Sequence, residues 1–196
     1  MLSKKLPIVF QKDLGGEQYF NTDKIPTHYV QGGKNKVILL LSGSVFLKRI
    51  TDDMIVSKIK APFVFGVHES ISNKGRLYIK PLSSSLLKLV DFDVFYKNVS
   101  PEIITEICAK LIEIYQIRDE GVISTSVYDC IKKCLEDISL LDDAEKKNTS
   151  IFGYVTERNK VSRSSVYNIL RELEKGGYIK TKRGKLLEMN KVPKSF

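Results

Sequence analysis

The spacing of apolar residues changes once along this chain, at "NVSPEIITEICAKLIEIYQIRDE", residues 98–120. Before it stand short runs rich in Val, Ile, Leu and Phe: "KVILLLSGSVFLKRI", "MIVSKIK", "FVFGV", "RLYIK" and "SLLKLVDF". Turn formers separate them at Gly32-Gly33, Ser42-Gly43, Thr51-Asp52-Asp53, Ala61-Pro62, Asn73-Lys74-Gly75 and Pro81. Short strands with regular turn signals predict an antiparallel sandwich or barrel. After it the period is helical. Ser100 can cap a helix, and Pro101 fits the first turn, where a missing N–H costs nothing. A single switch of period predicts an α+β chain: an antiparallel β-roll first, helices afterwards.

The helix that begins at Pro101 is apolar on two sides. Ile104, Ile107, Leu111 and Ile114 repeat at +3, +4, +3, a seam spacing. Cys108, Ile112 and Tyr115 form a second stripe beside it. Two apolar sides need two partners. One is expected to be the chain's own β domain and the other a second copy, with Ile104, Ile107, Leu111 and Ile114 as the dimer interface. The alternative is a helix buried wholly within one chain. "GVISTS" (121–126) predicts a break. "VYDCIKKCLEDISLL" predicts a further helix with Val127, Ile131, Cys134 and Ile138 on one face, and "DDAEKKN" a charged connector. The expected domains are a β-roll at 1–99, a dimerisation helix and hinge at 100–125, and a nucleic-acid-binding domain at 126–196.

The last of these rests on "KVSRSSVYNILRELEKGGYI". Ser162 is a good N-cap for a helix to about Lys175, and Gly176-Gly177 supply its left-handed exit. Val166, Ile169, Leu170 and Leu173 fall on the inner side. Arg163, Ser164, Tyr167, Asn168 and Arg171 share the other. Arg pairs bidentately with guanine and Asn with adenine, while Ser and Tyr suit phosphates. Upstream, "TSIFGYVTERN" predicts a shorter helix, giving a helix-turn-helix with Lys160 in the turn. Downstream, "GYIKTKRGKLLEMN" predicts two short strands whose tip carries Lys182, Arg183 and Lys185, a basic wing. Taken alone, the helix also fits an ordinary amphipathic surface helix.

Charge follows the same division. The net charge is +9. Residues 144–196 hold 13 Lys/Arg against 5 Asp/Glu, and residues 1–143 hold 19 against 18. A near-neutral body with a patterned basic end suits a polyanion such as double-stranded DNA. A basic tail kept for solubility is the alternative. No secretory segment is expected, because "LPIVF" is too short, and "VILLL" is far from a membrane span. A cytoplasmic chain with reduced thiols follows.

Enzyme chemistry finds little support. His28 and His68 stand 40 positions apart, with no convergent metal-ligand cluster, so neither metal nor cofactor is expected. "GGKNK" lacks the phosphate-loop frame, and "SSS" (83–85) lacks nucleophile-elbow glycines. Cys130 and Cys134 lie one helical turn apart, wider than a disulfide prefers, and suit small buried hydrophobes. Cys108 adjoins the expected dimer seam and is a candidate redox site.

The order β-roll, long helix, winged helix-turn-helix resembles the CRP/FNR superfamily of transcription regulators. "LLLSGSVFLKRI" with "IKAPFVFG" resembles its cyclic-nucleotide-binding-like jelly roll, and "VSRSSVYNILRELEKGGYI" resembles its recognition helix. The resemblance assigns base reading to Arg163, with Ser162 opening the helix and Ser164 and Asn168 as further contacts. Within the superfamily, "APFVFG", "KVSRS", "GKLLEMNKVP" and the "RDE" after the long helix resemble the IprA type, described as inhibitors of hydrogen-peroxide resistance. That implies a homodimeric regulator in an oxidative-stress response, with RNA polymerase as a further partner. There are departures. The turn "TERNKVS" is longer than the family pattern. Nucleotide binders follow the strand-end Gly with Glu and place Arg before Ser or Thr; here Gly66 precedes Val67, Arg76 precedes Leu77, and Glu69 is off register. The cluster-binding N-terminal cysteines are absent, since the first Cys is Cys108. A cyclic nucleotide is therefore not expected, and any small ligand is unknown. A β-roll sensor of an unidentified ligand or redox signal, and a protein-interaction module, remain as alternative functions.

Overall fold

A computed structural model describes residues 14–20, 24–82, 85–123 and 126–193. The "LPIVF" segment, Ser83 and Ser84, and Ser124 and Thr125 of the expected break lie outside them. The chain divides into two compact units, Met1–Ile117 and Arg118–Phe196.

The first unit is an antiparallel β-roll. One sheet orders β1 (Glu17–Phe20), β9 (Leu86–Asp91), β4 (Lys34–Ser42) and β3 (Tyr29–Gln31), with β7 (Phe63–Phe65) also paired to β4. The other orders β2 (Ile25–Pro26), β8 (Leu77–Pro81), β5 (Ser44–Arg49) and β6 (Ile55–Lys60). The uninterrupted run Val37–Leu40 is buried throughout because both faces of β4 are covered. Alternation of side chains sends Ile38 and Leu40 into the space between the sheets, with Val45, Leu47, Phe65 and Ile79. Val37 and Leu39 face a second layer containing Val64, Val90 and Phe95. Each fully buried side chain of this size contributes about 1.5–3 kcal/mol.

Three helices accompany the roll: α1 (Val67–Ser72), α2 (Phe92–Asn98) and α3 (Pro101–Ile123). Gly66 precedes α1 at φ +88°, where an added Cβ would lie 2.7 Å from the Thr27 carbonyl oxygen, so this corner requires glycine. Helix α3 continues through part of the expected break, to Ile123.

The expected dimer seam needs correction. Ile107 is 3% exposed in the outer cluster and Leu111 is 7% exposed in the cluster between the sheets. Ile104 and Ile114 pack against the same two clusters. This stripe is therefore taken up by the chain's own β-roll. On the other stripe Cys108 also packs against the outer cluster, while Ile112 is 56% and Tyr115 39% exposed. Seam spacing marks an apolar side of a helix but not which partner covers it.

The second unit has one core. Helix α4 (Val127–Ser139) begins at Ser126, whose hydroxyl accepts from the Asp129 amide while the Asp129 carboxylate accepts from the Ser126 amide. Tyr128, Ile131, Cys134, Leu135 and Ile138 face inward. Val127, expected on that face, is 44% exposed, and Tyr128 replaces it, its hydroxyl donating to the Pro193 carbonyl at 2.7 Å. The expected connector contains a short helix, α5 (Asp143–Asn148), capped by Asp142. Helices α6 (Ile151–Thr156) and α7 (Arg163–Lys175) follow, then the hairpin β10 (Ile179–Lys182) and β11 (Lys185–Met189). Ile151, Val155, Val166, Leu173, Ile179 and Leu186 close this core.

Candidate nucleic-acid interface

Helix α7 starts where its cap chemistry places it. The Ser162 hydroxyl accepts from the Ser165 amide at 3.1 Å and meets the Ser164 and Ser165 hydroxyls at 3.0 and 2.8 Å. Val166 and Leu173 are fully buried, and Ile169 and Leu170 pack beside them. Gly177 takes φ +70° just past the helix, and the Tyr178 amide donates back to the Leu173 carbonyl at 2.9 Å. Burying that side turns Arg163, Ser164, Tyr167, Asn168 and Arg171 outward, all exposed.

Two of these side chains are held by a residue absent from the expected set. The Arg163 guanidinium lies over the Phe152 ring, 4.6 Å from its centroid. The same ring stacks on Tyr167 at 6.1 Å, with the planes 6° apart. Phe152 belongs to α6, so the first helix of the pair orients the outward side chains of the second. Cation–π and ring stacking reduce the freedom that Arg163 and Tyr167 would lose on meeting a base. In sequence Phe152 is one apolar residue among several, and only the crossing of α6 with α7 brings it to Arg163.

Arg171 is differently placed. Its guanidinium pairs with Glu172 at 3.5 Å, and Lys175 shares that carboxylate at 3.0 Å. The Lys175 hydrogen bond, and then Arg171, hold the Glu172 carboxyl below its ordinary range. This neighbourhood is partly neutralised.

The lengthened turn is anchored. The Asn159 amide donates to the Val155 carbonyl at 3.3 Å and to the Cys134 sulfur at 3.4 Å. Arg158 folds onto the Tyr154 ring, 3.5 Å from its centroid, and donates to the Tyr154 carbonyl. Lys160 stays exposed in the turn.

The hairpin pairs Ile179 with Met189 and Lys182 with Lys185, and its register shifts between Lys180 and Thr181. Arg183 at φ +52° and Gly184 at φ +73° form the two-residue tip, the left-handed pair a tight hairpin turn requires. Lys182 and Arg183 are exposed; Lys185 is half-buried and donates to the Lys147 carbonyl. Glu174 of α7 accepts from the Thr181 amide at 3.1 Å, joining recognition helix to hairpin.

In the β-roll, fully buried Val67 follows Gly66, and Arg76 points to solvent. Glu69 is 6% exposed with one carboxylate oxygen lacking a hydrogen-bond partner. Burial, and then the Glu69 charge, push the Cys108 thiol above its ordinary range, which disfavours the reactive thiolate. Burial pushes the Cys134 thiol up to about 11. Among the described residues no helix is long and apolar enough to cross a membrane.

Residues 127–194 match the family model for winged helix-turn-helix DNA binding. The chain is similar to the inhibitor of hydrogen peroxide resistance of Salmonella typhimurium, 26% identical over 168 residues that cover 81% of this chain and 78% of that one. Among solved structures, the c-di-GMP-responsive global regulator CLP of Xanthomonas campestris superposes with a TM-score of 0.69 at 14% identity, covering 95% of this chain and all of that one. A CRP/FNR-family regulator of Thermus thermophilus gives 0.59 at 18% identity, covering 89% of this chain and 94% of that one. The chain thus has the CRP/FNR fold, ends in a winged helix-turn-helix domain of the DNA-binding kind, and is homologous to the peroxide-resistance inhibitors.

Proposed function

We propose that the chain is a sequence-selective, DNA-binding transcription regulator. It acts as a homodimer in a response to oxidative stress and does not depend on a cyclic nucleotide. The observation that carries this is the outward face of α7, where Arg163 and Tyr167 are both held by Phe152. A guanidinium fixed in direction at the first turn of an exposed helix is the arrangement that bidentate reading of a guanine needs. Ser164 and Asn168 lie along the same face, with Asn168 suited to adenine. Lys160, Ser162, Arg171 and the wing residues Lys182, Arg183 and Lys185 supply contacts to phosphates, which position the helix without reading sequence.

The exposed side of α3 at Ile112 supports the dimer. Ile112 sits on one side of a long helix whose other side is already buried, and a twofold pairing of α3 helices covers it in both copies. Two recognition helices then address half-sites one turn of DNA apart. The peroxide-linked role rests on the homologous inhibitor of hydrogen peroxide resistance. A regulator seated near a promoter has RNA polymerase as its natural further partner. No residue is assigned a catalytic role.

The test is differential. Duplexes enriched from a random pool supply a selected site, and scrambled duplexes the reference. Arg163→Ala should cost about 1–3 kcal/mol on the selected site and much less on scrambled DNA. Lys182→Ala or Arg183→Ala should weaken both alike and flatten the salt slope by about one unit each. Equal losses on both duplexes for Arg163→Ala would make it a phosphate clamp. No change from either set would remove the DNA-binding function.

A further inference from the structure

The wing does not stand alone. Helix α5 lies beside it, and together they enclose a cleft of about 330 Å3 lined by Asp143, Lys146 and Lys147 on one side and Lys182, Arg183 and Lys185 on the other. Five cations thus face one carboxylate. Among the described residues, ion pairs of this unit form away from the cleft, such as Arg158–Glu157, Arg171–Glu172, Lys175–Glu172 and Lys180–Glu188. Among the described residues the five cleft cations form no ion pair. Like charges gathered in a concave site repel one another and focus a positive potential, and an anion relieves both effects.

The cleft is also fixed in place. Lys185 donates to the Lys147 carbonyl, tying the wing to α5. The Ile151 amide, at the start of α6, donates to the Gly184 carbonyl at the wing tip, 2.9 Å away. The Asp142 carboxylate accepts from the Glu145 amide at 2.7 Å, anchoring the entry to α5. None of these links uses the side chain of Lys146 or Lys147, so the cleft keeps its register with the helix-turn-helix when those two side chains are changed.

We infer that this cleft seats a phosphodiester of the DNA backbone outside the base pairs read by α7, with Lys146 and Lys147 completing a site that the wing only half forms. The inference rests on the DNA-binding function proposed above. Lysine ammonium groups suit phosphates as point charges. An acidic protein is disfavoured as occupant because it would compete with DNA for Lys182 and Arg183.

The double substitution Lys146→Ala/Lys147→Ala tests it, since both backbone carbonyls are retained. Its thermal unfolding should match the parent, which checks the fold. Binding is measured across a salt series on two duplexes, one covering only the selected core site and one extending beyond it on both sides. On the extended duplex the double variant should lose affinity and flatten the salt slope by about one unit for each lysine that meets a phosphate. On the core duplex it should match the parent, and its preference for selected over scrambled sequence should be unchanged. Parent-like slopes on both duplexes overturn the inference, and so does a loss confined to binding an acidic protein. Failure of the unsubstituted protein to prefer any duplex would overturn the DNA-binding function itself, a result distinguishable from failure of the cleft.

Discussion

Phe152 shows how one side chain links packing to recognition. Its ring meets the Arg163 guanidinium and the Tyr167 ring. Under the proposed base-reading role of Arg163 it acts as a positioning residue, and its loss should appear as lost discrimination. Phe152→Leu keeps apolar bulk but removes the π face, worth about 1–2 kcal/mol in the two contacts. The ratio of selected to scrambled affinity should fall roughly tenfold, with the salt slope intact. Phe152→Tyr, which keeps a ring, should restore it. Equal weakening on both duplexes would leave Phe152 only a packing role. Cys134 makes a prediction of the opposite kind, of silence. Burial holds its thiol at about 11, against an ordinary value of about 8.5. Its thiolate fraction at neutral pH is then more than about a hundredfold below that of a free cysteine. Alkylation of Cys134, followed by mass spectrometry at pH 7, should be slower than in the urea-unfolded chain by at least that factor. The sign also fixes a stability trend. A raised folded-state value means the neutral thiol is the stable form, so stability is intact below about pH 8.5 and falls as pH rises towards 11.

At the scale of the element, α3 carries two apolar faces with different fates. Leu111 is buried beneath its own sheets, whereas Ile112, one residue on, is more than half exposed. Charge introduced at these two neighbours should act differently. Leu111→Asp buries an unpaired carboxylate and should destabilise the folded chain by several kcal/mol, read as a lowered unfolding midpoint. Ile112→Asp should leave the midpoint of the monomer unchanged and move the light-scattering mass from two copies to one, weakening DNA binding with it. A parent protein that scatters as a monomer at micromolar concentration would end the dimer proposal. The helix itself was legible from Ser100, Pro101 and the apolar period. Which stripe meets the roll was not, because both have helical spacing and similar hydrophobicity.

The whole molecule sets a β-roll of the CRP/FNR fold before a basic unit of the winged helix-turn-helix DNA-binding kind, and the proposed independence from cyclic nucleotides belongs to the roll. Val67, which follows Gly66 where the resemblance implies a Glu, is fully buried, and Arg76 faces solvent. A cyclic phosphate brought in without a paired cation would remain desolvated and unmatched. Calorimetry with cyclic AMP or cyclic GMP should show no micromolar binding, and neither nucleotide should shift DNA affinity. A measured heat with saturation would contradict this and return the roll to the nucleotide-sensing class.

The sequence by itself determined the architecture and the class of interface. Its strand runs, its single change of period, the Ser162 cap, the double glycine and the Lys182–Lys185 tip are local signals, each set by backbone geometry within a few residues. They were enough for the β-roll, the long helix, the winged unit and the outward face of α7. Tertiary structure alone decided how those parts meet. It placed Phe152 under Arg163, swung Lys146 and Lys147 against the wing, exchanged Tyr128 for Val127 in the core, and gave the Ile104–Ile114 stripe to the roll. The reason is physical: a helix shows in sequence which of its sides avoid water, while the neighbour that covers each side is chosen by contacts between residues far apart in the chain.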